Sequence, residues 1–229
     1  MARMCASTFD SGVFTLGRLM PVLAFTAGLV GTAATAQERF HPLEAYCIEY
    51  RISGLQKGTV TECARKYGRE SVQIQKLTPV DDNSLPSLHH RVIQRADTVV
   101  AIDLAKREAV RVFQEDGGAL LTYVSGRDGT EIAEDFGRAL GGEPTGERRQ
   151  IAGETCDVWA ANRGESKARW CMSEDGLLLS FRMPPLLKQA VAVTIGSGGP
   201  EAHYSVPGDV TVVDESDPVV IDSMLGAIQ

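Results

Sequence analysis

The sequence lacks the features of several protein classes. Its 229 residues hold 23 Lys and Arg against 30 Asp and Glu, a net charge of −7. This acidic balance opposes binding to nucleic acid, because counterion release requires clustered cations. No later apolar run approaches the ~18 residues that indicate a membrane-spanning helix. We therefore expect no nucleic-acid partner and no transmembrane anchor in the mature chain.

Recognisable catalytic motifs are also absent. The chain has no Gly-x-Ser-x-Gly, His-Glu-x-x-His or Cys-x-x-Cys pattern. The glycine-rich loop at residues 196–200 lacks the lysine and the following helix of a phosphate-binding loop, so it reads as a hairpin turn. His89 and His90 are neighbours on a predicted strand and point to opposite faces, so only one of them can serve a given site. We expect no enzyme, no cofactor and no metal site.

The first 36 residues predict an export signal. Arg18 precedes an apolar run from Leu19 to Gly31, and a small-residue stretch ends at Ala36. The pattern is typical of a signal peptide cleaved between Ala36 and Gln37. The apolar run is too short for the alternative, an uncleaved anchor. The mature chain is therefore expected in the periplasm.

The mature chain has the size of a single domain. Removal of residues 1–36 takes away Arg3, Arg18 and Asp10, which leaves 21 basic and 29 acidic residues and a net charge of −8. The remaining 193 residues, 37–229, can bury a hydrophobic core of their own.

Four cysteines remain after processing, and four thiols allow three connectivities. A hairpin of Tyr46–Ser53 and Thr59–Tyr67 around a short turn places Cys47 directly opposite Cys63. Directly opposed residues of an antiparallel pair have Cβ atoms within bonding reach. The register therefore favours a disulfide between these two cysteines.

The second pair of cysteines follows the same pattern. A hairpin of Thr155–Ala161 and Ser166–Met172 around Asn162–Gly164 places Cys156 opposite Cys171. The alternatives are redox-active thiols, which favour Cys-x-x-Cys spacing, and a zinc site, which favours closely spaced ligands. Neither spacing occurs, so structural disulfides in an oxidising compartment are the prediction.

The alternation of apolar and polar residues predicts a protein dominated by strands. A single segment, Thr130–Leu140, has helical spacing instead, with Asp128 or Thr130 as its N-cap and Gly141-Gly142 after its end. The tail from Ser223 to Gln229 is expected to form a helical turn. The further predicted strands are Ser71–Leu77, Arg91–Arg95, Thr98–Leu104, Ala109–Gln114, Gly176–Arg182, Gln189–Ile195 and Val210–Val213. About ten strands and one helix predict an α+β fold, mostly antiparallel, in which a curved half-open barrel carries one covering helix.

A curved sheet with a helix over its concave face either fills its interior with side chains or leaves room for a ligand. The apolar residues predicted to face that interior are equally candidates for an ordinary packed core, and the sequence does not separate the two roles. The candidate lining residues are Tyr46, Ile48, Tyr50, Ile52, Val99, Phe136, Leu140 and Trp159.

Several segments resemble a family of uncharacterised exported proteobacterial proteins, which is in turn similar to the periplasmic lipoprotein-carrier (LolA-like) superfamily. The resemblance is carried by the runs at residues 48–54 and 58–61, 151–159 and 170–177, and by the late run Tyr204–Val210, which is similar to the closing strand of the carriers. It implies a half-open antiparallel barrel with a helical lid and an apolar cavity that shields acyl chains.

Two functions are consistent with these observations. The first is reversible binding of an apolar ligand, a lipid or a lipoprotein acyl chain, in the concave face of the sheet. The alternative is an envelope interaction or sensing module that has a solid core and no ligand cavity. An enclosed cavity of several hundred cubic ångströms would favour the first function, and a filled interior would favour the second.

Overall fold

The computed structural model describes residues 39–81, 85–95, 97–113, 128–163 and 166–215. The predicted export signal with its cleavage site at Ala36 and Gln37, and the predicted turn in the tail, lie outside the described residues. Within these ranges, no helix is long and apolar enough to cross a bilayer.

The described residues form twelve strands, one α-helix and one short 3₁₀ helix at Glu201–Tyr204. The α-helix, α1, spans Gly129–Ala139. The strands are β1 Tyr46–Ser53, β2 Gln56–Arg65, β3 Glu70–Pro79, β4 Leu88–Gln94, β5 Thr98–Asp103, β6 Glu108–Phe113, β7 Glu143–Ile151, β8 Glu154–Arg163, β9 Ser166–Ser173, β10 Leu178–Met183, β11 Leu186–Ile195 and β12 Thr211–Glu215.

All twelve strands belong to one curved, open sheet in the order β12-β6-β5-β4-β3-β2-β1-β11-β10-β9-β8-β7. Two meanders of hairpins, β1–β6 and β7–β11, meet where β1 pairs with β11, and every pair is antiparallel except β12 with β6. The predicted fold class is confirmed: a mostly antiparallel, unclosed sheet with one α-helix among the described residues.

The first cysteine hairpin has the predicted register, with Cys47 opposite Cys63, and the two residues form a disulfide. The second hairpin corrects the prediction of direct opposition. Its strands pair Val158 with Cys171, so the disulfide of Cys156 with Cys171 joins diagonal neighbours whose Cα atoms are 5.4 Å apart. Diagonal neighbours remain within the Cα range that a disulfide spans.

Strand β7 was missed by sequence reasoning, whereas every other described strand overlaps a predicted one. All its residues except Ile151 are exposed, and four of them are charged. It is an edge strand, and both of its faces meet solvent, so it shows no alternation of apolar and polar residues. Charged side chains at an edge also oppose pairing with another chain.

Helix α1 begins and ends close to the predicted limits. Asp128 is the N-cap: its side chain accepts a hydrogen bond from the Glu131 backbone, and the Glu131 carboxylate reaches back to the Asp128 N–H, which forms a capping box. Leu140 is the C-cap. An isolated helix of this length is marginal in water, so its stability depends on packing against the sheet.

That packing rests on two tryptophans and two glycines. A Cβ added to Gly137 would lie 2.5 Å from ring carbons of Trp159, and one added to Gly142 would lie 2.1 Å from Trp170. Hydrogen side chains therefore let the helix and the segment after it sit directly on the two indole rings. Phe136 adds an edge-to-face contact with Trp170, at 6.2 Å between ring centroids.

The cross-strand register defines the two faces of the sheet. We call the face that carries the tryptophans and α1 the helix-bearing face, and the other the opposite face. Because side chains alternate along each strand, one row on the helix-bearing face crosses eight strands through Trp159, Trp170, Phe181, Lys188, Ile52, Gly58, Leu77 and Leu88.

Part of the opposite face is covered by residues 198–206, which we call the strap. Tyr204 is almost fully buried in a cluster with Cys63, and its hydroxyl donates to the Gly198 carbonyl at 2.8 Å. Burial raises the pKa of Tyr204 to about 12. Arg95 donates to the Tyr204 carbonyl at 2.9 Å, and Gly199 lies against the sulfur atoms of the first disulfide.

His41 gives the stability of the first described segment a dependence on pH. Burial lowers its pKa to about 4, and its Nδ1 accepts a hydrogen bond from the Leu43 N–H. Because the folded pKa lies below the unfolded value, the stabilisation is complete above pH ~6.5 and is lost as the pH falls toward 4. We expect the free energy of unfolding to drop by about 1–3 kcal/mol over that range in urea titrations.

The variant His41→Asn isolates this contribution. It keeps a hydrogen-bond acceptor for Leu43 but removes the titration, so its unfolding free energy should change less between pH 7 and pH 4.5 than that of the wild type. Equal pH dependence in the two proteins would contradict the assignment to His41.

Candidate functional site

The structure distributes the eight predicted lining residues over three packed clusters. Ile48, Tyr50 and Ile52 are buried in one cluster, with Tyr46 half-buried against it. Val99 is buried in a second cluster on β5 and β6. Phe136, Leu140 and Trp159 form part of the third cluster, around the two tryptophans. All belong to the helix-bearing face or to α1 and its C-cap, and their role as a ligand lining stays a prediction.

Sequence reasoning missed a chain of polar side chains on the same face. Lys188 Nζ lies 2.5 Å from Glu62 Oε1, which also accepts a hydrogen bond from Gln73 Nε2 at 2.8 Å. Gln75 Nε2 in turn donates to Gln73 Oε1 at 2.6 Å. We call these four residues the polar chain. Buried polar groups are retained only when they are hydrogen-bonded, and this chain satisfies itself across three strands.

The sequence does contain a signal for the polar chain, namely the spacing of its residues from buried apolar residues on the same strands. Glu62 follows buried Val60 by two positions, and Gln73 and Gln75 precede buried Leu77 by four and two. Residues two apart share a face, so these polar side chains stand in register with the core.

Tyr50 connects the polar chain to the apolar core. The residue is 1% exposed, and its hydroxyl donates to the Leu178 carbonyl at 2.8 Å. The Lys188 ammonium lies 4.1 Å from the centroid of the same ring, which is a cation–π contact. Burial, with the nearby Glu62 carboxylate, raises the pKa of Tyr50 above its usual range. The phenol therefore stays neutral at physiological pH and acts as a hydrogen-bond donor.

A buried polar pair, His90 and Asp103, lies on the same face of the sheet. It belongs to the cross-strand row that runs from Tyr50 through Val60 and Gln75. His90 Nε2 lies 3.5 Å from Asp103 Oδ2, and both side chains are almost completely buried. Asp103 also accepts hydrogen bonds from the backbone of Ala105 and Lys106. Burial opposes its ionisation, but these bonds and Lys106 prevail and lower the pKa of Asp103. Within the described part of the chain, His90 Nδ1 has no hydrogen-bond partner.

The helix and the sheet meet along a line of incompletely buried apolar side chains. Phe136 from α1, the C-cap Leu140, and Leu178 and Phe181 from β10 pack against the tryptophan cluster yet remain half-buried. We call these four residues the seam. Phe181 is the cross-strand partner of Lys188, so the seam leads directly to the polar chain.

Fold and site together define an open, curved antiparallel sheet whose helix-bearing face is apolar and contains a few convergent polar groups. No protein-family model matches the chain, and no curated protein matches its sequence.

Solved structures that are similar to this chain include an uncharacterized conserved protein from Thermus thermophilus, with TM-score 0.47 and 11% identity over 76% of this chain and 92% of that one. They also include Pseudomonas aeruginosa MucB in complex with MucA, with TM-score 0.42 and 14% identity over 74% and 58% of the two chains. LprF from Mycobacterium bovis has TM-score 0.35 and 12% identity over 75% and 92%. The carrier resemblance seen in the sequence stays a prediction.

Proposed function

We propose that this chain is a periplasmic, non-catalytic binding protein that holds a lipid or acyl chain against the helix-bearing face. The observation that carries the proposal is the junction of the seam with the polar chain. Ligand sites are mostly apolar surfaces with a small number of polar groups that fix orientation, and the seam beside Lys188 and Glu62 has that composition. The two disulfides fit an exported protein.

The physical basis of binding is burial of the acyl chain along the seam. Each methylene removed from water contributes about 0.8 kcal/mol. The polar end of the amphiphile would meet Lys188, Glu62 and Gln73, which offer both donors and acceptors. Admission of a chain requires α1 to shift on the two indole rings, and its short length and glycine-mediated contact make it the element best suited to move.

Native mass spectrometry of protein purified from the periplasm tests the proposal first. We expect co-purified lipid, and after delipidation we expect saturable binding of a fluorescent fatty acid. Phe136→Glu places a charge in the seam, so its dissociation constant for the fatty acid should rise by about tenfold or more, the equivalent of ~1.4 kcal/mol.

The matched control is Phe113→Glu, because Phe113 lies at the end of β6 and is 56% exposed. This variant should bind the fatty acid as the wild type does, and circular dichroism should show both variants folded. A protein that purifies without lipid and binds no fatty acid, or equal weakening by the two substitutions, would contradict the proposal.

The alternative function, an envelope interaction module, has its own observation. Leu55 and Val80 on two loop tips, and Met183 at the end of β10, are exposed apolar side chains. The Val80 N–H donates to the Leu55 carbonyl, and the adjoining Gly54 lies against Pro185 of the β10–β11 turn. Contiguous exposed apolar patches mark interaction surfaces. Failure of the lipid experiments would leave a protein partner at these tips as the better explanation.

A further inference from the structure

A cleft of about 400 Å³ opens on the opposite face of the sheet, away from α1 and the seam. Its apolar floor includes Val158 and Cys171. Its rim carries three guanidinium groups from three strands, Arg149 on β7, Arg169 on β9 and Arg182 on β10. Other polar groups of the rim are Gln150, Ser180 and Gln189.

Two of these arginines occupy opposed positions on neighbouring strands. Arg169 and Arg182 are direct cross-strand partners, and like charges at opposed positions of an antiparallel pair are destabilising. Arg169 has an ion-pair partner in Glu147. Around Arg182, by contrast, no carboxylate of the described residues lies within 4 Å. Among the residues that the structure describes, Arg182 therefore faces no anion.

Glu147 pairs with two of the rim arginines and shows how they hold an oxyanion. Its Oε1 lies 2.6 Å from Arg149 Nε, and its Oε2 lies 2.6 Å from an Arg169 terminal nitrogen. One carboxylate thus bridges guanidinium groups from two strands. The hydrogen bonds from Arg149 and Arg169 hold the pKa of Glu147 below its usual range. Its side chain is 41% exposed and belongs to an edge strand, so it can turn out to solvent.

We propose that this cleft binds a phosphate monoester, with Arg169 and Arg182 as its principal ligands and Glu147 as a resident anion that the phosphate displaces or joins. Three guanidinium groups and one carboxylate leave two positive charges, which match the charge of ≈ −1.5 to −2 on a phosphate monoester at pH 7. Guanidinium groups bind phosphate bidentately. The inference does not depend on the proposed function, because the two sites lie on different faces.

Titration calorimetry in phosphate-free buffer at constant ionic strength tests it, with inorganic phosphate as the soluble probe. Vesicles of phosphatidylcholine with and without phosphatidic acid form a second arm. Arg182→Gln should weaken phosphate binding about tenfold or more, as expected for the loss of a charged hydrogen-bond partner. Glu147→Gln should strengthen binding, because it removes the competing carboxylate.

The chain offers a matched control in Arg148, which neighbours Arg149 on β7 but pairs with Asp157 outside the cleft. Arg148→Gln removes the same charge and should leave phosphate affinity unchanged. Binding of inorganic phosphate, or of phosphatidic acid vesicles alone, with this pattern of variants supports the site and identifies its source as free phosphate or a lipid headgroup.

Three results would overturn the inference. The first is the absence of binding to phosphate and to phosphatidic acid in both the wild type and Glu147→Gln. The second is equal weakening by Arg148→Gln and Arg182→Gln, which would indicate non-specific attraction between charges. The third is tighter binding of acetate or of an acidic peptide than of any phosphate compound, which would assign the cleft to carboxylates.

Discussion

Replacement of Trp170 by alanine should lower the free energy of unfolding by about 3–5 kcal/mol, the range for loss of a large buried aromatic side chain. Trp170 is 1% exposed, stands opposite Trp159 on β8 and Phe181 on β10, and receives the edge-to-face contact from Phe136. Its removal leaves a cavity beneath α1. Urea unfolding followed by circular dichroism measures the change.

The same substitution should also release the helix. Because α1 is too short to persist alone, amide hydrogens of residues 129–139 should exchange faster in Trp170→Ala than in the wild type, relative to those of β1 and β2. If the amide hydrogens of α1 remained as protected in this variant as in the wild type, packing on the two indole rings would not be what stabilises the helix.

Trp170→Phe is the matched control. The indole Nε1 of Trp170 has no hydrogen-bond partner among the described residues, and an unsatisfied buried donor costs free energy. Phenylalanine removes that donor and keeps most of the apolar surface, so we expect a smaller loss of unfolding free energy than for Trp170→Ala. Equal losses for the two variants would mean that the cavity is not the cause.

The fold could be predicted from the sequence wherever one face of a strand is buried and the other is wet. In β1, the buried residues Ile48, Tyr50 and Ile52 alternate with exposed ones, and this pattern fixes both the strand and its partner register. Strand β7 has no buried face to mark it. This strand forms because it pairs with β8 at the edge of the sheet, and the pattern of residues within β7 does not reveal that pairing.

The second cysteine hairpin shows how register depends on the turn. The predicted strands end at Ala161 and begin at Ser166, which places Cys156 opposite Cys171. The structure instead pairs Arg163 with Ser166, so that two residues separate the paired ends. Two-residue loops are the commonest hairpin connections. A small shift in the turn changes every cross-strand pair. The disulfide of Cys156 with Cys171 still forms, because the range of Cα–Cα distances that a disulfide spans includes diagonal neighbours as well as direct partners.

The polar chain and the arginine cleft could not be read from one strand at a time. Lys188 and Glu62 are separated by 126 positions in the sequence, and they meet because β11 pairs with β1 and β1 with β2. Arg169 and Arg182 meet through the pairing of β9 with β10. Individually, each of these residues looks like an ordinary surface charge; their significance appears only in the cross-strand rows.

Removal of either disulfide should lower the free energy of unfolding by about 3 kcal/mol. A comparison of the two losses separates the contribution of chain entropy from that of contacts in the native state. The sequence separations are 16 for Cys47–Cys63 and 15 for Cys156–Cys171, so the chain-entropy model predicts nearly the same loss for each. The double variants Cys47→Ala/Cys63→Ala and Cys156→Ala/Cys171→Ala, unfolded in urea, measure the two losses directly.

The native contacts differ, and hydrogen exchange should show it. The strap lies over the first disulfide, with Gly199 against both sulfur atoms and Tyr204 in the same cluster as Cys63. Residues 198–206 should therefore exchange faster in Cys47→Ala/Cys63→Ala than in Cys156→Ala/Cys171→Ala.

In a third variant, Cys156→Ser, alkylation after unfolding should label Cys171 and spare the first pair, because the hairpins fix the connectivity. Equal strap protection in both double variants would remove the disulfide as its support, and labelling of Cys47 or Cys63 in Cys156→Ser would refute the pairing itself.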